Sequence, residues 1–266
     1  MHGRKAAVLM LAAVVAAPAA AFQPLVTDDT GTQGTGGNQL EIAYARQRQT
    51  TSGSVERVVT RTNPLVIARG IGDTLDLYLG AASQRIATTD AGGGTTQESG
   101  WGNVAIGVKW RFFEDEKSGF SLGVKPEVQW PVSDDKEMRG LGAGRASWGT
   151  ALLASQKTGF GELHFNLAAG HTGYALESSR AANRSGQWRA SVAPVWQVAE
   201  KLKLAIDFGI MTNPDRTKRA NKAFALLGAV YSPGEDVDIA FGLSRENQGN
   251  EVTAVQGQVG LTWRFK

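Results

Sequence analysis

The sequence predicts an all-β protein: a transmembrane antiparallel up-and-down β-barrel of about 12 strands. Three observations carry that expectation. Segments of about ten residues alternate apolar and polar side chains, so each presents one apolar and one polar face. The connections between them alternate strictly between short and long. Aromatic residues collect near the segment ends, where membrane interfaces favour amphipathic rings.

The clearest pair of segments lies within Gly102–Trp130. Val104, Ile106, Val108, Trp110 and Phe112 share one face; Ala105, Gly107, Lys109 and Arg111 share the other. After a polar turn at Glu114–Ser118, Phe120, Leu122, Val124, Pro126, Val128 and Trp130 oppose Ser121, Gly123, Lys125, Glu127 and Gln129. A soluble sandwich would cover the apolar face with a second sheet. Aromatics near both ends of that face, with Gly, Lys, Arg and Glu opposite, suit a strand between lipid and a wet lumen.

In chain order, residues 1–21 read as a secretory signal peptide. Arg4 and Lys5 precede the apolar run Ala6–Ala17, and Ala19-Ala20-Ala21 fits cleavage before Phe22. The run is short for a membrane anchor, which needs about 20 apolar residues. Residues 22–37 are rich in Gly, Thr and Asp and have no periodicity. They are too polar for lipid and are expected to emerge on the periplasmic side. From there they could fold into the barrel as a plug, Asp28 or Asp29 meeting a lumen Arg or Lys, or remain a flexible tail.

Residues 38–266 are expected to form the barrel. The first strand covers Asn38–Arg48, with Leu40, Ile42 and Tyr44 on one face. The second, Arg57–Arg69, is ambiguous in parity. Arg69 is expected inward, because a cation facing lipid at mid-depth costs about 2–4 kcal/mol. The third is Thr74–Gln84, and the fourth and fifth are the pair described above. The sixth to eighth are Ala146–Gln156, Gly161–His171 and Ser185–Val198. The ninth, Leu202–Thr212, sets Leu202, Leu204, Ile206, Phe208 and Ile210 against Lys203, Ala205, Asp207 and Gly209. The last three are Asn221–Tyr231, Val237–Leu243 and Thr253–Phe265.

Short connections fall at Gly70–Asp73, Glu114–Ser118, Thr158–Phe160, Ala199–Lys201 and Ser232–Glu235. Long ones fall at Gln49–Glu56, Arg85–Gly100, Pro131–Arg145, Thr172–Arg184, Asn213–Ala220 and Arg245–Asn250. Both barrel ends then lie on the short-turn side, the layout of a bacterial outer-membrane barrel. Trp110, Trp196 and Trp263 fall by the short-turn rim; Trp101, Trp130, Trp148 and Trp188 fall by the long-loop rim. The chain ends on the aromatic Phe265 followed by Lys266.

Composition narrows the chemistry. The chain has no cysteine, so disulfides and thiolate metal sites are excluded. The leader takes two of the 28 basic residues and none of the 25 acidic ones, leaving a nearly neutral mature chain. That balance gives no reason to expect a nucleic-acid partner. Asp28 and Asp29 lack the spacing of a calcium loop, and neither GxSxG nor HExxH occurs, so no catalytic, metal or cofactor site is expected.

The polar faces converge on a lumen lined by Lys109, Arg111, Lys125, Arg189, Lys203 and Arg264 together with Glu41, Asp76, Glu127, Glu162, Asp207 and Asp238. Equal numbers of the two signs favour ion-pair ladders bracing the wall over a one-sign selectivity filter. A polar path that positions a solute between opposite charges is the functional alternative. His164 has lumen parity between Glu162 and Asn166 and is expected as a hydrogen-bonded wall residue.

Leu25-Val-Thr-Asp28-Asp29-Thr-Gly31-Thr-Gln33-Gly34 with Asn38-Gln39-Leu40-Glu41 resembles the opening of a family of outer-membrane barrel transporters assigned to the phenol meta-cleavage degradation pathway. Trp101-Gly102-Asn103-Val104 through Phe112, and Gly142-Ala143-Gly144 through Trp148-Gly149, are similar to later segments of that family. The resemblance covers most of the mature chain. It implies an outer-membrane channel for small solutes, with hydrophobic or aromatic compounds as the solute class. The partners expected are outer-membrane lipids, the barrel-insertion machinery and a small-molecule solute. A non-transporting structural barrel and a lipid-modifying outer-membrane enzyme are the rival readings.

Overall fold

The computed structural model describes residues 23–248 and 252–266. The leader at 1–21 lies outside them. The wall is built from β1 (Asn38–Thr51), β2 (Arg57–Gly72), β3 (Leu75–Thr89), β4 (Thr95–Trp101), β5 (Val104–Asp115), β6 (Phe120–Trp130), β7 (Ser147–Thr158), β8 (Gly161–His171), β9 (Gly186–Ala199), β10 (Leu202–Thr212), β11 (Asn221–Tyr231), β12 (Val237–Gln248) and β13 (Val252–Phe265). Two short helices, α1 (Asp134–Met138) and α2 (Glu177–Ala182), sit in long loops.

All pairings are antiparallel, and the sheet closes where β1 pairs β13 from Asn38↔Phe265 to Thr51↔Val252. β3 serves two partners. Its first half, Leu75–Gly80, pairs β5, and its second half, Ser83–Thr89, pairs β4. β4 and β5 are therefore two halves of one wall position, interrupted at Gly102–Asn103, and the ring has twelve positions. Asn103 explains the break. Its amide donates to the carbonyls of Trp130 (2.7 Å) and Ala143 (2.9 Å) and accepts from Ala143 N–H (2.8 Å), so the wall opens to admit the loop 131–146. Most of Arg85–Gly100, expected as a loop, is strand instead: Thr88, Thr89, Thr95 and Thr96 pair across it, as β-branched residues favour.

The outer face is apolar. Ile42, Ile67, Leu79, Phe165, Leu167, Phe208, Leu227, Phe241 and Leu243 are all exposed. So much apolar surface has no place in water, whereas lipid accommodates it. Arg69 is a correction: it faces outward, its guanidinium 3.0 Å from Asn38 Oδ1. Val66 and Ala68 pack inward against Tyr78, which sends Leu65, Ile67 and Arg69 out. Arg69 pairs Asn38 at the short-turn rim, where a charge can reach interfacial water at little cost.

At the same rim a register shift between Arg111 and Phe113 turns both Phe112 and Phe113 outward, thickening the aromatic belt beside Trp110. Inside, the Tyr78 ring lies flat against Gly107, where any Cβ would collide with it.

Candidate functional site

The lumen is occupied by residues 23–37, which walk round the inner wall strand by strand. Gln23 lies against Gly260 of β13, where a side chain would collide with it. Pro24 packs on Gly228 of β11 and Gly242 of β12; a Cβ there would come within 2.8 Å and 2.9 Å of its ring. Gln258 donates to the Pro24 carbonyl. Leu25 enters an apolar cluster with Ala193, Val195, Ala205 and Leu226 inside the barrel.

The next residues are held by polar wall groups. Asp207 of β10 accepts from Val26 N–H (2.6 Å) and Thr27 N–H (2.7 Å), and Thr27 Oγ1 lies 2.7 Å from both Asp207 and Ser191. Asn166 of β8 accepts from Asp28 N–H (2.7 Å) and donates to its carbonyl (2.8 Å). Thr30 N–H donates to Ser155 of β7 (3.1 Å), and its hydroxyl meets Ser121 of β6 (2.6 Å). Gln33 N–H is shared by the two Asp76 oxygens at 3.0 and 3.1 Å. Backbone bonds from Gly36 to Gly70 and from Gly70 to Gly37 then hand the chain to β1.

The charge centre is Asp28. One carboxylate oxygen is 2.7 Å from Lys125 of β6, the other 3.0 Å from Lys109 of β5, and Lys109 also meets Asp29 at 2.9 Å. Lys109, Lys125 and Asp28 are all buried. Two lysines on neighbouring strands would repel each other, and the plug carboxylates supply their counter-charge.

The remaining wall residues fall into smaller groups. Glu41 accepts from Gln39 (2.5 Å), and Glu127 from Tyr78 (3.0 Å) and Gln129 (2.9 Å). Glu162 is 3.6 Å from His164 Nε2. Lys203 projects from β10 on the inner face. Arg264 pairs Asp238 at 2.6 Å, and Arg111 pairs Glu114 at 3.2 Å; both pairs sit toward the short-turn rim, away from Asp28. The uncharged Ser121, Ser155, Asn166 and Ser191 of the wall are plug contacts that a search for charges passes over; their inward parity was the available signal, whereas Thr27 and Thr30 lie in the aperiodic segment and carry none.

Above the plug is a cavity of about 150 Å³. Asp28, Lys125 and Asn166 line its lower part, with Glu127, Arg189, Leu153, Ala168 and Met211 on its wall. Small inward residues, Gly149, Ala151, Ala168 and Gly170, leave the room. Asp207, Asp28 and Glu127 act on Arg189 through their charge, and each is also engaged by other donors. Among the described residues no acceptor meets Arg189 Nε, which is buried.

The long-loop rim is gathered by side-chain clasps. Leu141 of the loop 131–146 is fully buried against Val58 and Ile86. Arg184 donates to the carbonyls of Asn213, Asp215 and Lys218, tying two further loops together. Glu137 of α1 accepts from the N–H groups of Gly144 (2.5 Å), Ala175 (2.9 Å) and Leu176 (2.9 Å). Burial works to raise this carboxyl, but those donors outweigh it and hold it below the usual glutamate range.

A depressed carboxylate stabilises the clasp above the ordinary glutamate value, and that contribution fades as pH falls through the lowered one. The amides of Ala175 and Leu176, compared with their intrinsic exchange rates, are expected to lose protection as pH falls below the ordinary glutamate range. Glu137→Gln is expected to bring that loss of protection to neutral pH, as hydrogen–deuterium exchange will show; equal protection in variant and wild type would remove the clasp.

The comparisons agree with this geometry. The fold is similar to that of an outer membrane channel from Pseudomonas putida F1, with a TM-score of 0.71 at 14% identity over 89% of this chain and 98% of that one. It is also similar to the transport unit of the autotransporter AIDA-I from Escherichia coli (TM-score 0.56, 12% identity, 86% and 90% covered) and to the NanC porin (0.54, 10%, 84% and 98%). No match was found among curated protein sequences. The family model described as "Putative MetA-pathway of phenol degradation" matches residues 23–265, from the start of the plug to the last residue of β13, and the chain belongs to that family.

Proposed function

We propose that this protein is an outer-membrane channel that passes small solutes through the cavity above the plug and then past residues 23–37. The observation that carries the reading is the way the plug is held. Apart from Leu25 and Pro24, its contacts with the lumen wall are chiefly hydrogen bonds and ion pairs, most of them to wall side chains and the last of them, at Gly36 and Gly37, to the backbone of Gly70. A barrel needing only a filled core could close it with side chains of its own wall, as eight-stranded barrels do, without a separate segment. Polar tethers can exchange with water or with a polar solute without leaving bare apolar surface. Hydrophobic or aromatic compounds, the solute class suggested by the family description, would use the Leu153, Ala168 and Met211 side of the cavity.

Reconstitution of the full mature chain in planar bilayers tests the reading: discrete channel events are expected, and a folded protein that gives none rejects it. Arg189 gives the channel a preference for anions. Arg189→Gln is expected to shift the reversal potential in a salt gradient toward cations, whereas an unchanged potential would take Arg189 out of the path.

Ser155, His164 and Glu162 suggest a second reading. Ser155 Oγ is 2.9 Å from His164 Nδ1, and Glu162 is 3.6 Å from Nε2, the order of groups in a serine hydrolase. Yet the Ser155 hydroxyl also accepts Thr30 N–H, and His164 is buried beneath the plug. The trio is better read as a bracket that holds Thr30.

A further inference from the structure

We propose that the outer face of β1, β2, β3 and β12, just beyond the apolar belt on the long-loop side, binds the phosphates of a lipid headgroup in the surrounding leaflet. Six arginines lie there: Arg46, Arg48, Arg57, Arg61, Arg85 and Arg245. Three form a row across adjacent strands, since Arg46 pairs Arg61 and Arg61 pairs Arg85. Arg48 and Arg245 flank the same residue, Val255 of β13.

Side chains directly opposite on neighbouring strands have Cβ atoms about 5 Å apart, and like charges so placed destabilise a sheet. Among the described residues no acid relieves this. The outward residues of β1, β2, β3, β12 and β13 include no Asp or Glu. Among the described residues none of the six arginines is in an ion pair; Arg245 reaches only the amide oxygen of Asn247, at 3.2 Å. The inward acids nearby are taken, Glu246 by Lys222 at 2.7 Å and Glu98 by Arg139 at 2.6 Å.

Height selects the partner. Below the row the same outer faces carry Ile42 and Tyr44, Leu65 and Ile67, Leu77 and Leu79, and Phe241 and Leu243, all exposed. The arginines therefore begin where hydrocarbon ends. A ligand with acyl chains against the apolar belt and phosphates at the row satisfies both surfaces at once. Arginine is suited to this, because its planar fork binds phosphate oxygens in pairs. In an outer membrane the leaflet on the long-loop side is built of phosphorylated lipid A, so the inference rests on the outer-membrane reading above.

The test uses the full mature chain in detergent, with native mass spectrometry reading bound bis-phosphorylated lipid A against the same lipid with its phosphates removed. Wild-type protein is expected to retain the phosphorylated lipid and not the dephosphorylated one. Arg46→Gln/Arg61→Gln/Arg85→Gln is expected to weaken retention at least tenfold, with heat-modifiable gel mobility reporting that the barrel is folded. Equal retention of the two lipids by wild type overturns the proposal, whether or not the triple variant folds; so does equal retention by wild type and a folded triple variant. Orientation is read separately. The chain has no cysteine, so Ser54→Cys in the first long loop is the single target for a membrane-impermeant maleimide on intact cells. Failure to label would remove the outer-leaflet premise without touching the lipid result.

Discussion

Deleting residues 23–37 is expected to raise single-channel conductance by about an order of magnitude, because the segment occupies the lumen at its most polar level. Eight-stranded barrels are filled by side chains and 16–18 strands leave a water channel. The twelve positions here fall between, so the occupant decides whether the path is wide. With the segment gone, Asp207, Asn166, Lys109 and Lys125 lose their plug partners, and water fills the space they enclose. The wall itself is held by its own ladders, so the barrel is expected to remain folded on gels. Conductance equal to wild type in a folded deletion variant would mean that solute does not pass where the plug lies.

Asp28→Ala carries the second large effect. Removing one partner of a buried charge group typically costs about 3–5 kcal/mol, because the remaining charge is left uncompensated. Lys125 would lose its 2.7 Å partner, and Lys109 would keep only Asp29. That penalty can be relieved by letting the plug leave and water enter. The expected readouts are frequent openings in bilayers and new protease cleavage between residues 23 and 37. Adding Lys125→Gln is expected to restore much of the closed state, since the Lys125 charge is then gone while Lys109 still pairs Asp29. If Asp28→Ala alone stays as closed and as protease-resistant as wild type, the lysine–aspartate centre does not hold the plug.

The wall was readable because alternation with a period of two is a strong signal when one face meets lipid. Phe165, Leu167, Phe208 and Ile210 could only face out, and that fixed the inward parity of Asn166 and Asp207. The signal failed where its physical cause was weak. β2 carries apolar residues on both parities, so Arg69 was placed by the cost of a mid-membrane charge, a cost that does not apply at the rim. β3 beyond Gln84 and β4 are mostly polar on both faces and read as a loop; they are held by backbone pairing above the apolar belt, which leaves no mark in hydropathy.

The plug contacts were less legible still. Thr27 and Thr30 are ordinary loop residues until a hydroxyl or carboxylate from a distant strand is brought within reach. Glycines 228, 242 and 260 look like generic barrel glycines until Pro24 and Gln23 are placed against them. Leu141 lies in a Gly-rich loop with no period to reveal its pocket.

The route of residues 23–37 also sets an order of assembly. The segment precedes β1, yet its first anchor is on β13 and its later ones run back through β10, β8 and β6 to β3 and the end of β2. No partly built sheet presents both ends of that track at once, because β13 meets β1 only when the ring closes. The plug therefore reaches its full set of bonds last, against a finished wall. A truncated or mis-registered barrel would leave it unlatched, exposing a polar N-terminal segment to proteases and marking the failed molecule for removal.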